Sequence, residues 1–130
     1  MPTAYGTHPY FAVNEESKKD FGINGVSMER FNPQTANWAE ELDIAVENPG
    51  VVTIRIPEKN DIPGREIAIT SDPEKFQSLY VWSLPGKNFV CIEPWTRPEN
   101  ALNKPDQTLW VPPEKSVSLP ISISAKIRHA

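Results

Sequence analysis

The chain is poor in the features that announce many functional classes. It has one cysteine, Cys91, in 130 residues. An internal disulfide is therefore excluded, and no metal-ligand spacing flanks Cys91 along the chain. Its apolar neighbours Phe89, Val90 and Ile92 mark it as a small core residue. No apolar run approaches the ~20 residues needed to cross a bilayer as a helix. Met1-Pro2-Thr3-Ala4-Tyr5 lacks the basic and apolar regions of a signal peptide, so the sequence reads as cytoplasmic. Positive charge is also scarce. The formal net charge is -4, with acidic and basic residues interspersed. Such a chain has no electrostatic footprint for nucleic acid or an anionic membrane.

Proline is plentiful, at 14 residues spread along the chain. It interrupts helix interiors and central strand positions, so it favours many short elements joined by turns. The length fits one domain over residues 1–130. Val51–Ile56 and Arg65–Thr70 alternate or are rich in β-branched residues, and the polar segment 57–64 between them predicts a hairpin. Gln77–Ser83 and Phe89–Glu93 flank the turn signal Pro85-Gly86-Lys87-Asn88 and predict a second hairpin, with Trp82 and Glu93 near each other. Val117, Leu119, Ile121, Ile123, Ala125 and Ile127 alternate with polar residues or proline, which predicts a long half-buried strand. Pro120 within it points to a side without a ladder partner. Helical signals are confined to Asn37–Leu42, with Asn37 as N-cap, and to Arg97–Leu102. The expected fold is all-β, an antiparallel β-sandwich.

Chemistry-bearing residues gather in two segments. One is Gly6-Thr7-His8-Pro9-Tyr10-Phe11 near the start. The other is Cys91-Ile92-Glu93-Pro94-Trp95, followed by Asn100-Ala101-Leu102-Asn103. Pro112-Pro113-Glu114 then precedes the last strand. Glu93 in an apolar run is unusual, because a buried carboxylate is costly unless paired or used. A lone histidine such as His8 is ordinarily structural, Asp43 reads equally as a solvated side chain, and tryptophans are more often core than ligand platforms. His129 stands near the terminus without a pattern around it.

In order and type, these segments resemble the aldose 1-epimerase (galactose mutarotase)-like family. There an H-x-Y-F segment, a C-hydrophobic-E segment, a P-x-x-x-N segment and a turn into the final strand succeed one another. The resemblance runs from about residue 5 to residue 127. It implies the C-terminal half of that family's β-sandwich, with the family's N-terminal half absent. It places His8 on the proton-donating histidine, Glu93 on the glutamate base and, more loosely, Asp43 on a sugar-binding aspartate. Arg97, Trp95 and Trp82 become substrate-binding candidates, and Trp110 a further stacking candidate. With Arg97 alone near Glu93, a phosphorylated sugar is not expected.

The implied activity is that of an isomerase of carbohydrate metabolism, exchanging the anomers of a hexose without metal or cofactor. A base takes the C1 hydroxyl proton and an acid protonates the ring oxygen. Histidine suits the acid, with an ordinary pKa near 6.5, and a partly buried glutamate suits the base. A homo-oligomer or a complementing chain is expected to cover exposed sheet edges. The competing readings are a carbohydrate-binding sandwich without catalysis and a truncated, partner-binding relic.

Overall fold

The computed structural model describes residues 1–128. Its strands in chain order are β1 (Pro2–Thr3), β2 (Tyr10–Ala12), β3 (Gly22–Asn24), β4 (Leu42–Glu47), β5 (Val51–Ile56), β6 (Gly64–Ser71), β7 (Ser78–Ser83), β8 (Phe89–Trp95), β9 (Leu109–Trp110) and β10 (Ile121–Arg128). Three short 3-10 turns, Glu15–Asp20, Ala101–Asn103 and Pro105–Gln107, are the helical elements among the described residues. Among the described residues, no helix is long and apolar enough to cross a membrane.

Two four-stranded antiparallel sheets, ordered β10-β6-β5-β3 and β2-β8-β7-β4, make the fold all-β. Both expected hairpins are present. In the first, Val52 pairs with Ile69 and Ile54 with Ile67. Its turn carries Asn60 and Asp61 at φ 51° and 64°. Two successive left-handed residues match the twist of the flanking strands, and Asn and Asp tolerate that conformation better than most residues.

Period-2 alternation decides the core. Val52, Ile54, Ile67 and Ile69 from one sheet meet Phe11, Leu79, Val81, Val90 and Ile92 from the other. The second hairpin is buried on both faces, since Tyr80, Cys91 and Glu93, at the alternate positions, are buried too. That double burial explains the nearly unbroken apolar run of its sequence.

Two expectations fail. Asn37–Leu42 forms turns, not a helix. The Asn37 side chain accepts from the Ala39 N–H at 3.2 Å, but Leu42 already opens β4 opposite Ser83. So short a segment gains too few helical hydrogen bonds to compete. The last strand begins at Ile121, and it is mostly exposed rather than half-buried. It is an edge strand paired to β6 alone, as Pro120 suggested. Its apolar residues share the face of Ile67 and Ile69 but overhang the core, leaving Ile123 and Ile127 exposed. His129 lies outside the described residues.

Candidate functional site

The site is built on the outer face of the β2-β8-β7-β4 sheet. Because side chains alternate, burying Leu79, Val81, Val90 and Ile92 inward sends Tyr80, Trp82, Cys91, Glu93 and Trp95 outward. Register sets their neighbours. Tyr10 stands opposite Cys91, Cys91 opposite Trp82, and Trp82 opposite Asp43. One step along, Gly6 bridges to Trp95, so His8 falls opposite Glu93.

The structure thus brings His8 and Glu93 together, with His8 Nε2 3.3 Å from Glu93 Oε1. The two groups differ sharply in environment. The Glu93 side chain is 3% exposed and the His8 side chain 48%. Oε2 accepts the Trp95 indole N–H at 3.1 Å. Oε1 has no hydrogen-bond partner, because the approach of His8 falls outside hydrogen-bond geometry. Burial pushes the Glu93 carboxyl above its ordinary pKa. Positive charge on His8 and the Trp95 hydrogen bond oppose that shift, and the Asp43 charge adds to it. Glu93 is therefore a buried carboxyl with a raised pKa beneath a half-exposed imidazole.

Aromatic rings surround the pair. His8 stacks on Tyr10 with centroids 4.9 Å apart and meets the edge of Trp82 at 5.2 Å. Phe89 packs on both Tyr10 and Trp82. Trp95 lies 4.3 Å from Tyr80. Gly6 makes the Trp95 position possible, since a Cβ there would stand 2.9 Å from Trp95 Cδ1. A cleft of about 440 Å³ adjoins the pair. His8 and Trp95 form its near wall, and Arg97, Asn100 and Asn103 its far side.

The other sequence candidates divide. Trp82 is in the cluster, its indole N–H donating to Glu41 Oε1 at 2.8 Å. Asp43 is exposed on the adjacent strand, near enough for its charge to be felt at Glu93. Arg97 borders the cleft, but its Nη1 donates to the carbonyls of Thr96 at 2.6 Å and Lys75 at 3.3 Å, so it braces two chain segments. Trp110 belongs to the separate β1–β9 ribbon and donates to the Pro105 carbonyl. Cys91 is fully buried, and burial together with the Glu93 charge pushes its thiol up to about 12. Sequence reasoning passed over Tyr10, Tyr80 and Phe89 as site residues. Cross-strand register brings them in: Tyr10 lies opposite Cys91 and Tyr80 opposite Glu93, while Phe89 packs on Tyr10 and Trp82.

Neither a protein-family model nor a curated protein matches this chain. Among solved structures, it is similar to the Slr1438 protein from Synechocystis sp. PCC 6803, with 27% identity and a TM-score of 0.78. The similarity covers 98% of this chain and 46% of that one, so this chain spans about half the length of that neighbour.

Proposed function

We propose that the protein is an aldose 1-epimerase-like isomerase that interconverts the anomers of a hexose, using Glu93 as base and His8 as acid. The observation that carries this reading is a buried carboxylate with one free oxygen, 3.3 Å from a half-exposed imidazole, on an aromatic-lined face. The two groups stand side by side. That arrangement suits the reaction, because O1 and O5 are both bonded to C1 and lie within reach from one side.

In the forward step Glu93 Oε1 takes the proton of the C1 hydroxyl. The C1–O5 bond breaks, its electron pair stays on O5, and protonated His8 donates to that oxygen. C1 becomes an aldehyde carbon. After rotation about C1–C2, O5 attacks the other face of the carbonyl. Its proton returns to His8, and O1 recovers a proton from Glu93. The sequence restores both groups and requires no redox partner. Trp82 and Tyr10 offer ring faces to the C–H side of a pyranose, and Asp43 offers an acceptor for its hydroxyls.

Because this chain spans 46% of its structural neighbour, a second copy or a complementing chain is the proposed source of further sugar contacts. The exposed edge at β10 is the proposed seat for it. The cytoplasm is the proposed compartment, on the strength of the single buried thiol.

A sugar-binding role without turnover is favoured by one feature, the openness of the face on which His8 sits. Substitution separates the two readings. Glu93→Gln abolishes anomer exchange in an isomerase and leaves sugar affinity nearly unchanged in a binder. Loss of neither, with no sugar bound by the wild type, contradicts both.

A further inference from the structure

Cys91 takes no part in the proton transfers, yet it lies against both groups that do. It precedes Glu93 by two residues on β8, so both side chains leave the same face of one strand. His8 reaches them from the segment that leads into β2. A nitrogen of His8, the Cys91 sulfur and a Glu93 oxygen all lie within 4.8 Å of one another.

We propose that His8, Cys91 and Glu93 bind a single thiophilic divalent cation of the zinc type, which occupies the two proton-transfer groups and so competes with the sugar, with its fourth position open to solvent beside His8. Two observations and one general pattern converge on it. The donor set of one nitrogen, one sulfur and one oxygen suits zinc or cobalt and excludes calcium and magnesium, which take oxygen ligands. The Glu93 oxygen facing the group is buried and lacks a hydrogen-bond donor. Three protein ligands with one free position form a frequent zinc arrangement.

The spacing permits closure. Tetrahedral bonds of about 2.0–2.3 Å place donors roughly 3.5 Å apart; His8 Nε2 and Glu93 Oε1, at 3.3 Å, already stand near that separation, and the Cys91 sulfur lies within 4.8 Å of a His8 nitrogen and a Glu93 oxygen. His8 is half-exposed, which leaves its imidazole room to adjust toward the sulfur. Entry of the cation breaks the Cys91 S–H bond, forms a metal–sulfur bond and releases one proton to solvent. No electron is transferred. Thiolate and carboxylate then balance the two positive charges, which removes the cost of holding Glu93 ionised in its buried position.

Cobalt(II) titration of the full chain under reducing conditions tests this. The expected result is one equivalent bound, with a thiolate-to-cobalt absorption band in the near ultraviolet that zinc(II) abolishes. Cys91→Ala removes the band, and His8→Ala weakens binding by more than about 100-fold, since even groups that merely support a ligand contribute about 10–100-fold. His8 is half-exposed, so its variant keeps the fold where a Cys91 variant does not. Absence of the band in the wild type overturns the proposal, as does wild-type affinity in folded His8→Ala. The readout needs no sugar turnover, so its failure is distinct from a failure of the epimerase reading.

Discussion

His8 Nε2 stands 3.3 Å from Glu93 Oε1, yet the two residues are 85 positions apart, Glu93 on β8 and His8 in the segment that leads into β2. Their contact follows from the antiparallel pairing of β2 with β8, fixed by Phe11 opposite Val90 in the core. A one-residue slip would turn His8 inward and away from Glu93.

Glu93→Gln is predicted to keep the fold. The amide oxygen still accepts from the Trp95 indole, and no other hydrogen bond to Glu93 is lost. Under the epimerase reading, anomer exchange falls by about 10²–10⁴-fold, the usual contribution of a placed proton-transfer group. Circular dichroism and polarimetry check the two halves of this statement.

The same variant carries a stability signature. Burial raises the Glu93 pKa in the folded state. The native state therefore holds its proton more tightly than the unfolded state does. The carboxyl's contribution to stability is full below its unfolded pKa, near 4.5, and is lost as pH rises through the folded value. Glu93→Gln removes this dependence. It is expected to melt higher than wild type at pH 8, with the difference vanishing at about pH 4. Thermal melts at both pH values decide it, and an unchanged difference contradicts the raised pKa.

Asp43→Asn removes a charge that helps raise the Glu93 pKa. The acid limb of the pH–rate profile is expected to move to lower pH. Where Asp43 also accepts sugar hydroxyls, KM rises while kcat holds. A profile identical to wild type in both respects contradicts the placement of Asp43 at the site.

Gly6→Ala drives a methyl group into the Trp95 ring, at 2.9 Å from Cδ1. Displacing the indole breaks its hydrogen bond to Glu93, a net loss of about 1.5–3 kcal/mol when the acceptor is charged. Because that bond lowers the Glu93 pKa, the acid limb moves up in pH. Tryptophan fluorescence reports the displacement independently.

The architecture was legible where alternation was strict. Val51–Ile56 and Arg65–Thr70 carried their register in β-branched side chains, and the Phe89–Glu93 return followed from a turn rich in Pro, Gly and Asn. Alternation failed as a guide to burial at β10, because it shows which residues share a face but not whether another layer covers that face. At the site, His8 and Glu93 were readable from their segments. The supporting rings Tyr10, Tyr80 and Phe89 were not, since only the cross-strand register shows that they converge. The ligand geometry of Cys91 was hidden for the same reason: His8 is its neighbour across the sheet and not along the chain.

The exposed overhang of β10 gives its own prediction. Ile127, 62% exposed, is free of core contacts. Ile127→Ser is expected to change the stability of an isolated chain by no more than about 0.5 kcal/mol. Ile54→Ala, in the core, is expected to cost about 2–5 kcal/mol. A concentration-dependent loss in Ile127→Ser places a second copy on this edge.

The most direct test is polarimetry of freshly dissolved α-D-glucose and α-D-galactose with wild-type protein and Glu93→Gln. The account predicts anomer exchange above the spontaneous rate with the wild type and the spontaneous rate with the variant. Equal rates for the two proteins, at any protein concentration, contradict it.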